Sequence, residues 1–148
     1  MPLHWTVESR PQLVSVVAEG DVVLSDVEAY LEMVSAANLS DWRKLIDART
    51  ARPAFTVPDV NILGVRVRAA DAVRPIGPLA FVTPEAVTPE LSRLLGFLAA
   101  AKRPMRIFHQ LAPARRWIMK VGRHTGQKDL EGPARADQGG TEKAGKAE

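Results

Sequence analysis

Asp47-Ala48-Arg49-Thr50-Ala51-Arg52 brings a carboxylate, a hydroxyl and two guanidinium groups into one short stretch. Arginine forks match phosphate and carboxylate oxygens, so this set could contact an anion or an acidic partner. Asp47 also has a plainer use, a bond to a nearby backbone N–H or a pair with Arg49. Arg43, Lys44, Arg66, Arg68 and Arg74 make the middle of the chain basic. If the loop after the third strand lies beside the second helix, Asp47, Arg49, Thr50, Arg52 and Arg66 share one edge. Arg66 and Arg68 cannot both join it, since two helical positions span about 200°. That edge is either a solvated rim or a surface for an acidic protein or a phospholipid head group.

Other chemistry finds little support. His4, His109 and His124 are scattered, without the spacing of metal ligands. His109 follows a strand at its C-terminal end, where open α/β sheets place ligands. An enzyme would need His109, Asp47 and Arg49 to converge. No glycine-rich phosphate loop and no G-x-S-x-G elbow is present. Asp26 and Glu28 suit helix capping better than acid–base work. With no cysteine, thiolate metal sites, disulfides and cysteine nucleophiles are excluded. The reading is therefore of no catalytic residue, no metal and no cofactor, and of a protein that is not an enzyme.

The elements that would position these groups follow from hydrophobic spacing. His4–Glu8 and Leu13–Glu19 read as a β-hairpin around Ser9-Arg10-Pro11-Gln12, ended by Gly20 and Asp21. Ser25-x-x-Glu28 has the form of a capping box, and Val27, Tyr30, Leu31 and Val34 follow at helical spacing as far as Asn38. Lys44–Ala48 reads as a buried strand, followed by a loop bounded by Pro53 and Pro58. The second helix, Asp59–Asp71, carries two apolar stripes. One is Val60, Leu63, Val67 and Ala70. The other, nearly opposite, is Ile62, Val65 and Ala69. A helix apolar on two sides needs cover on two sides. One stripe can rest on the sheet, and the other on a second helix, a second subunit or a ligand. Leu79–Val82 and Met105–Phe108 are further strands, Thr88-Pro89 opens a third helix, and Pro113 starts a last one that ends at Gly122. The order β-β-α-β-α-β-α-β-α implies an α/β fold: an N-terminal hairpin joined to a mainly parallel five-stranded sheet with about four helices.

The 148 residues are 46% hydrophobic and 25% charged, enough to bury the core of one globular domain. Residues 1–121 are read as that domain and 122–148 as a disordered polar tail. Basic and acidic residues balance from Arg123 onward, so the net charge of +3 belongs to the body. It is too weak a field for a nucleic-acid binder. No apolar run approaches a membrane span and no secretory signal is visible, so a cytoplasmic location is expected.

The hairpin, the capped helix and the Lys44–Arg49 strand with its Asp47 resemble the SpoIIAA-like branch of the STAS fold. The segment Arg106–Ile118 is similar to the "v-F-x-x-x-x-x-A-x-x-W-L" ending of small bacterial STAS-like proteins of unknown function, with Phe108, Ala114 and Trp117 at its fixed positions. The resemblance covers about residues 4–121 and implies a (βα) superhelix with sequential strands. Some relatives are grouped with lipid-transfer domains of the CRAL-TRIO type. Anti-sigma-factor antagonists of this fold carry a phosphorylatable Ser-Gly after the strand with the Asp. Here that pair is absent, and Thr50 and Thr56 are the nearby hydroxyls. Phe108 and Trp117 are expected to seal one end of the core, with Ala114 letting the helix approach the sheet.

The sequence thus points to a non-enzymatic, STAS-like regulatory or protein-interaction module. Asp47, Arg49, Thr50, Arg52 and Arg66 are its candidate anion or partner contacts. Ile62, Val65 and Ala69 are its candidate interface, with a homodimer as one form. The alternative is a small-molecule or lipid carrier with an apolar pocket under the second and third helices.

Overall fold

The computed structural model describes residues 2–122, so the tail expected from residue 122 lies outside the described residues except for Gly122. Strands β1 (Leu3–Glu8) and β2 (Leu13–Val22) form the hairpin. They are followed by α1 (Leu24–Ala36), β3 (Arg43–Pro53), α2 (Val57–Val73), β4 (Leu79–Val82), α3 (Pro89–Ala99), β5 (Met105–Phe108) and α4 (Leu111–Lys120). The strands lie in sequence order, β1-β2-β3-β4-β5. Only β1 and β2 are antiparallel. The sheet is therefore mixed, with a parallel body built by crossover helices.

Side-chain alternation divides the core in two. Val14, Val16, Ala18, Ala48 and Phe81 meet Tyr30 and Val34 of α1 and Leu91 and Leu95 of α3 on the first face. Leu13, Leu45, Ala80 and Val82 meet Ala114 and Ile118 of α4 on the second. Ala114 is fully buried, and Phe108 and Trp117 pack 6.0 Å apart between ring centroids. This is the end seal the sequence suggested.

Several boundaries differ from the sequence reading. β2 continues through Gly20 and Asp21 to Val22, because Glu19–Val22 find partners in Thr50–Pro53 of β3. β3 is correspondingly long, and its register slips between Val17 and Glu19 of β2. Such a bulge lets strands of unequal local length stay paired. The first helix starts at Leu24, not at a Ser25 cap: the Asp26 carboxylate accepts the Val23 N–H at 2.9 Å. Asn38 does end that helix region, in the left-handed conformation with φ 62°. Thr56 and Thr88 cap α2 and α3 through their hydroxyls. The last helix begins at Leu111, two residues before Pro113.

The second helix is placed differently from the expectation that one stripe rests on the sheet. Val60 and Leu63 pack on Leu24, Val27 and Leu31 of α1 and on Leu94, Phe97 and Leu98 of α3. α2 is thus an outer layer over two helices. Gly64 permits the approach, because a Cβ there would lie 2.8 Å from the Phe97 ring.

Candidate functional site

Asp47 lies on the strand where the sequence places it, and Arg49, Thr50 and Arg52 lie on the continuation of that strand and not on a loop, as a direct result of the lengthened β3. Asp47 is opposite Val17 and Val82, on the second face of the sheet. Helix α4 covers that face over β4, β5 and the start of β3 and buries Leu13 at the start of β2, whereas Val17 farther along β2 is exposed. Arg49 folds back onto Asp47 through Nε at 2.9 Å and Nη2 at 2.8 Å, and its backbone N–H donates to the same carboxylate. These bonds hold the Asp47 carboxyl below its usual range, against the opposing effect of burial. The Thr50 hydroxyl donates to the Ala18 carbonyl at 3.4 Å, and Arg52 pairs with Asp21 of β2 at 2.8 Å. On the same face His4 lies 3.8 Å from Glu19. The cluster is real, but its charges are spent on one another, as on a solvated sheet face.

Arg66 does not join it. It sits on α2, beyond the first face of the sheet, and pairs with Glu28 of α1 at 3.4 Å. The structure therefore separates the single basic edge into a paired strand surface and one helix tether. His109 and Asp47 do not converge either. His109 meets Thr83 at 3.3 Å, beyond the ends of β4 and β5, while the Asp47 carboxylate is bound by Arg49.

The second stripe of α2 faces outward. Ile62 is 44% exposed, Val65 57% and Val73 78%, with Ala69 exposed between them. No charged side chain interrupts the stripe. Arg66 is tied to Glu28, and the Arg68 guanidinium lies over the Phe97 ring at 5.3 Å. Both cations that flank the stripe are thus engaged within the domain.

A third polar group was not evident from the sequence. Lys44, only 8% exposed, donates to the carbonyls of Leu39, Ser40 and Trp42 at 3.1, 2.6 and 2.9 Å. It fastens the α1–β3 connection. Burial lowers its pKa to about 7, Arg103 adds repulsion, and Asp41 opposes both. Arg103, from the turn between α3 and β5, is held down to about 10 by burial and donates through Nη2 to Leu98 O at 3.1 Å. Burial pushes the Tyr30 hydroxyl up. The one sequence signal was weak: a lysine opening an apolar strand run.

Among the described residues no helix is long and apolar enough to cross a membrane, and no group of three His, Asp or Glu residues could hold a metal ion. No family profile matches the chain, and no curated protein matches it. Among solved structures, it is similar to an uncharacterized protein of the DUF3478 family from Shewanella loihica PV-4. The superposition has a TM-score of 0.51 at 13% identity and covers 78% of this chain and 91% of that one. At that identity the likeness is one of fold. The sequential sheet, the antiparallel leading hairpin and this neighbour together give the chain a SpoIIAA-like α/β fold.

Proposed function

We propose that this domain is a non-enzymatic interaction module whose docking surface is the outward stripe of α2, and that its occupant is a second copy of the chain. The observation that carries the reading is an uncharged apolar stripe along a helix already anchored on its other side. Exposed apolar stripes of this kind mark association surfaces in soluble domains. Val65, within the stripe, is the midpoint of Val57–Val73. In an antiparallel pair with its twofold axis just past Val65, between positions 65 and 66, Ile62 of one copy lies level with Ala69 of the other, large against small. That is the self-complementarity a twofold interface requires.

The apolar carrier reading is less well supported, because Phe97 fills the approach between α2 and α3 against Gly64. The test is the solution mass of the whole chain at tens of micromolar. The wild type is expected at twice the 16.1 kDa chain mass, and Val65→Asp at the single mass with unchanged circular dichroism. A wild-type monomer at that concentration would overturn the self-association.

A further inference from the structure

The sheet ends in two edge strands, β1 and β5. β5 has four residues and carries Arg106. β1 has six, Leu3–Glu8, and keeps one unbroken register with β2. Edge strands are usually blunted by short length, a proline, a basic side chain or a bulge. Between Leu3 and Glu8 there is no proline, lysine or arginine, and no slip in register.

The groups that this edge offers follow from its pairing with β2. The Glu19 N–H donates to the Pro2 carbonyl at 2.9 Å, which marks a hydrogen-bonded position of the ladder. Such positions alternate, so His4, Thr6 and Glu8 also bond β2. Leu3, Trp5 and Val7 turn their N–H and C=O groups away from β2, where no backbone partner meets them among the described residues. Trp5 and Val7 place their side chains on the first face, and His4, Thr6 and Glu8 on the second. Val7 is 45% exposed, although its neighbour Val14 on β2 is fully buried.

The segment His4-Trp5-Thr6-Val7-Glu8 is complementary to itself when two copies run antiparallel about Thr6. His4 then stands opposite Glu8 of the other copy, Trp5 opposite Val7, and Thr6 opposite Thr6. An imidazole–carboxylate pair, an aromatic–β-branched pair and a threonine pair are all favourable cross-strand neighbours. The His4 Nε2 lies 3.8 Å from Glu19 of its own copy, so Glu8 of the other would take Nδ1. The backbone agrees with this register, since Trp5 and Val7 become the hydrogen-bonded positions. A slip of one residue would set outward groups against inward ones. A slip of two would take Glu8 away from His4.

We propose that β1 is a second docking surface, where the edges of two copies join antiparallel about Thr6 into one continuous sheet. It is separate from the outward stripe of α2, which lies over α1 and α3, and it does not depend on that stripe pairing. An edge of this length buries little area, so the contact forms at roughly millimolar concentration, not at tens of micromolar. Where α2 also pairs, edge contacts link those dimers to one another.

The test uses the full chain carrying Val65→Asp, which disables the α2 stripe. Sedimentation equilibrium at roughly 1 mM is expected to show its mass rising from 16.1 kDa toward twice that value. Adding Val7→Pro removes an outward N–H and no bond to β2, so that protein is expected to stay at the single mass with unchanged circular dichroism. If it does not fold, cross-linking decides. The chain has no cysteine, so Thr6→Cys sets one thiol of each copy at the axis, with the Cα atoms about 4.5 Å apart. The thiols of His4→Cys would lie roughly 13 Å apart. Thr6→Cys is expected to give a covalent dimer and His4→Cys none. A Val65→Asp protein that stays monomeric at this concentration would overturn the proposal. So would a folded Val7→Pro protein that associates as its parent does, equal cross-linking of the two cysteine variants, or a mass that climbs past two copies. Each of these results leaves the α2 reading standing, because that reading is tested on the wild type at tens of micromolar.

Discussion

Lys44 combines a position that is almost fully buried with three carbonyl partners on the α1–β3 connection. Its folded pKa, about 7, lies below that of an unfolded lysine. Between about pH 7 and pH 10 the unfolded chain therefore binds more protons than the folded one, and stability rises with pH. Chemical denaturation at pH 6.5 and pH 9 is expected to show a gain that is smaller in Lys44→Met. Equal gains in the two proteins would remove Lys44 as the cause. Asp47 acts with the same sign in a lower pH range. Its depressed pKa gives stability above the unfolded carboxylate range that is lost as pH falls through the folded value. The Asp47–Arg49 pairing was legible in the sequence, because residues two apart on one edge can meet across a bulge. The burial of Lys44, Tyr30 and Arg103 was not. Burial of a charged side chain is decided by elements far along the chain, and no local pattern encodes it.

Among the elements, the glycines at two close approaches make a graded test of packing. At Gly77 a Cβ would fall on the backbone carbonyls of Asp41 and Trp42, which cannot move without breaking the connection that Lys44 holds. At Gly64 it would meet only the Phe97 ring, a side chain that can turn. Gly77→Ala is expected to cost roughly 2–4 kcal/mol, and Gly64→Ala at most about 1 kcal/mol after its gain in helix propensity. Urea unfolding of the two variants checks this order, and equal costs would contradict the packing described. Helix α3, with Thr88 and Pro89 at its start, was readable because its cap is local. Helix α1 was misread at its first turn, since Ser25 and Asp26 compete for the cap and only the path of β2 selects Asp26. The second half of β3 reads as a loop in the sequence. Its pairing with Glu19–Val22 exists only in three dimensions.

At the scale of the whole molecule, one sheet is covered unequally. Two helix layers lie on its first face, α1 and α3 inside and α2 outside, and α4 alone lies on its second. The outer helix is held by its inward stripe, by Arg66 on Glu28 and by Arg74 on Asn38, so its exposed stripe is presented on a fixed support. Preorganisation of that kind lowers the ordering cost of association. The two-sided character of α2 was visible as two stripes of spacing. That its inner stripe meets helices and not strands was not, since both demand the same apolar residues. The charges on the open sheet face are paired, while the outward stripe of α2 has no cover among the described residues. The chain has no cysteine, so Val65→Cys introduces a single thiol beside the proposed twofold axis. Under mild oxidation the account predicts a covalent dimer that forms quickly and in high yield, while Glu85→Cys, exposed on the β4–α3 connection, stays monomeric. Cross-linking of Val65→Cys no faster than that of Glu85→Cys would contradict the account.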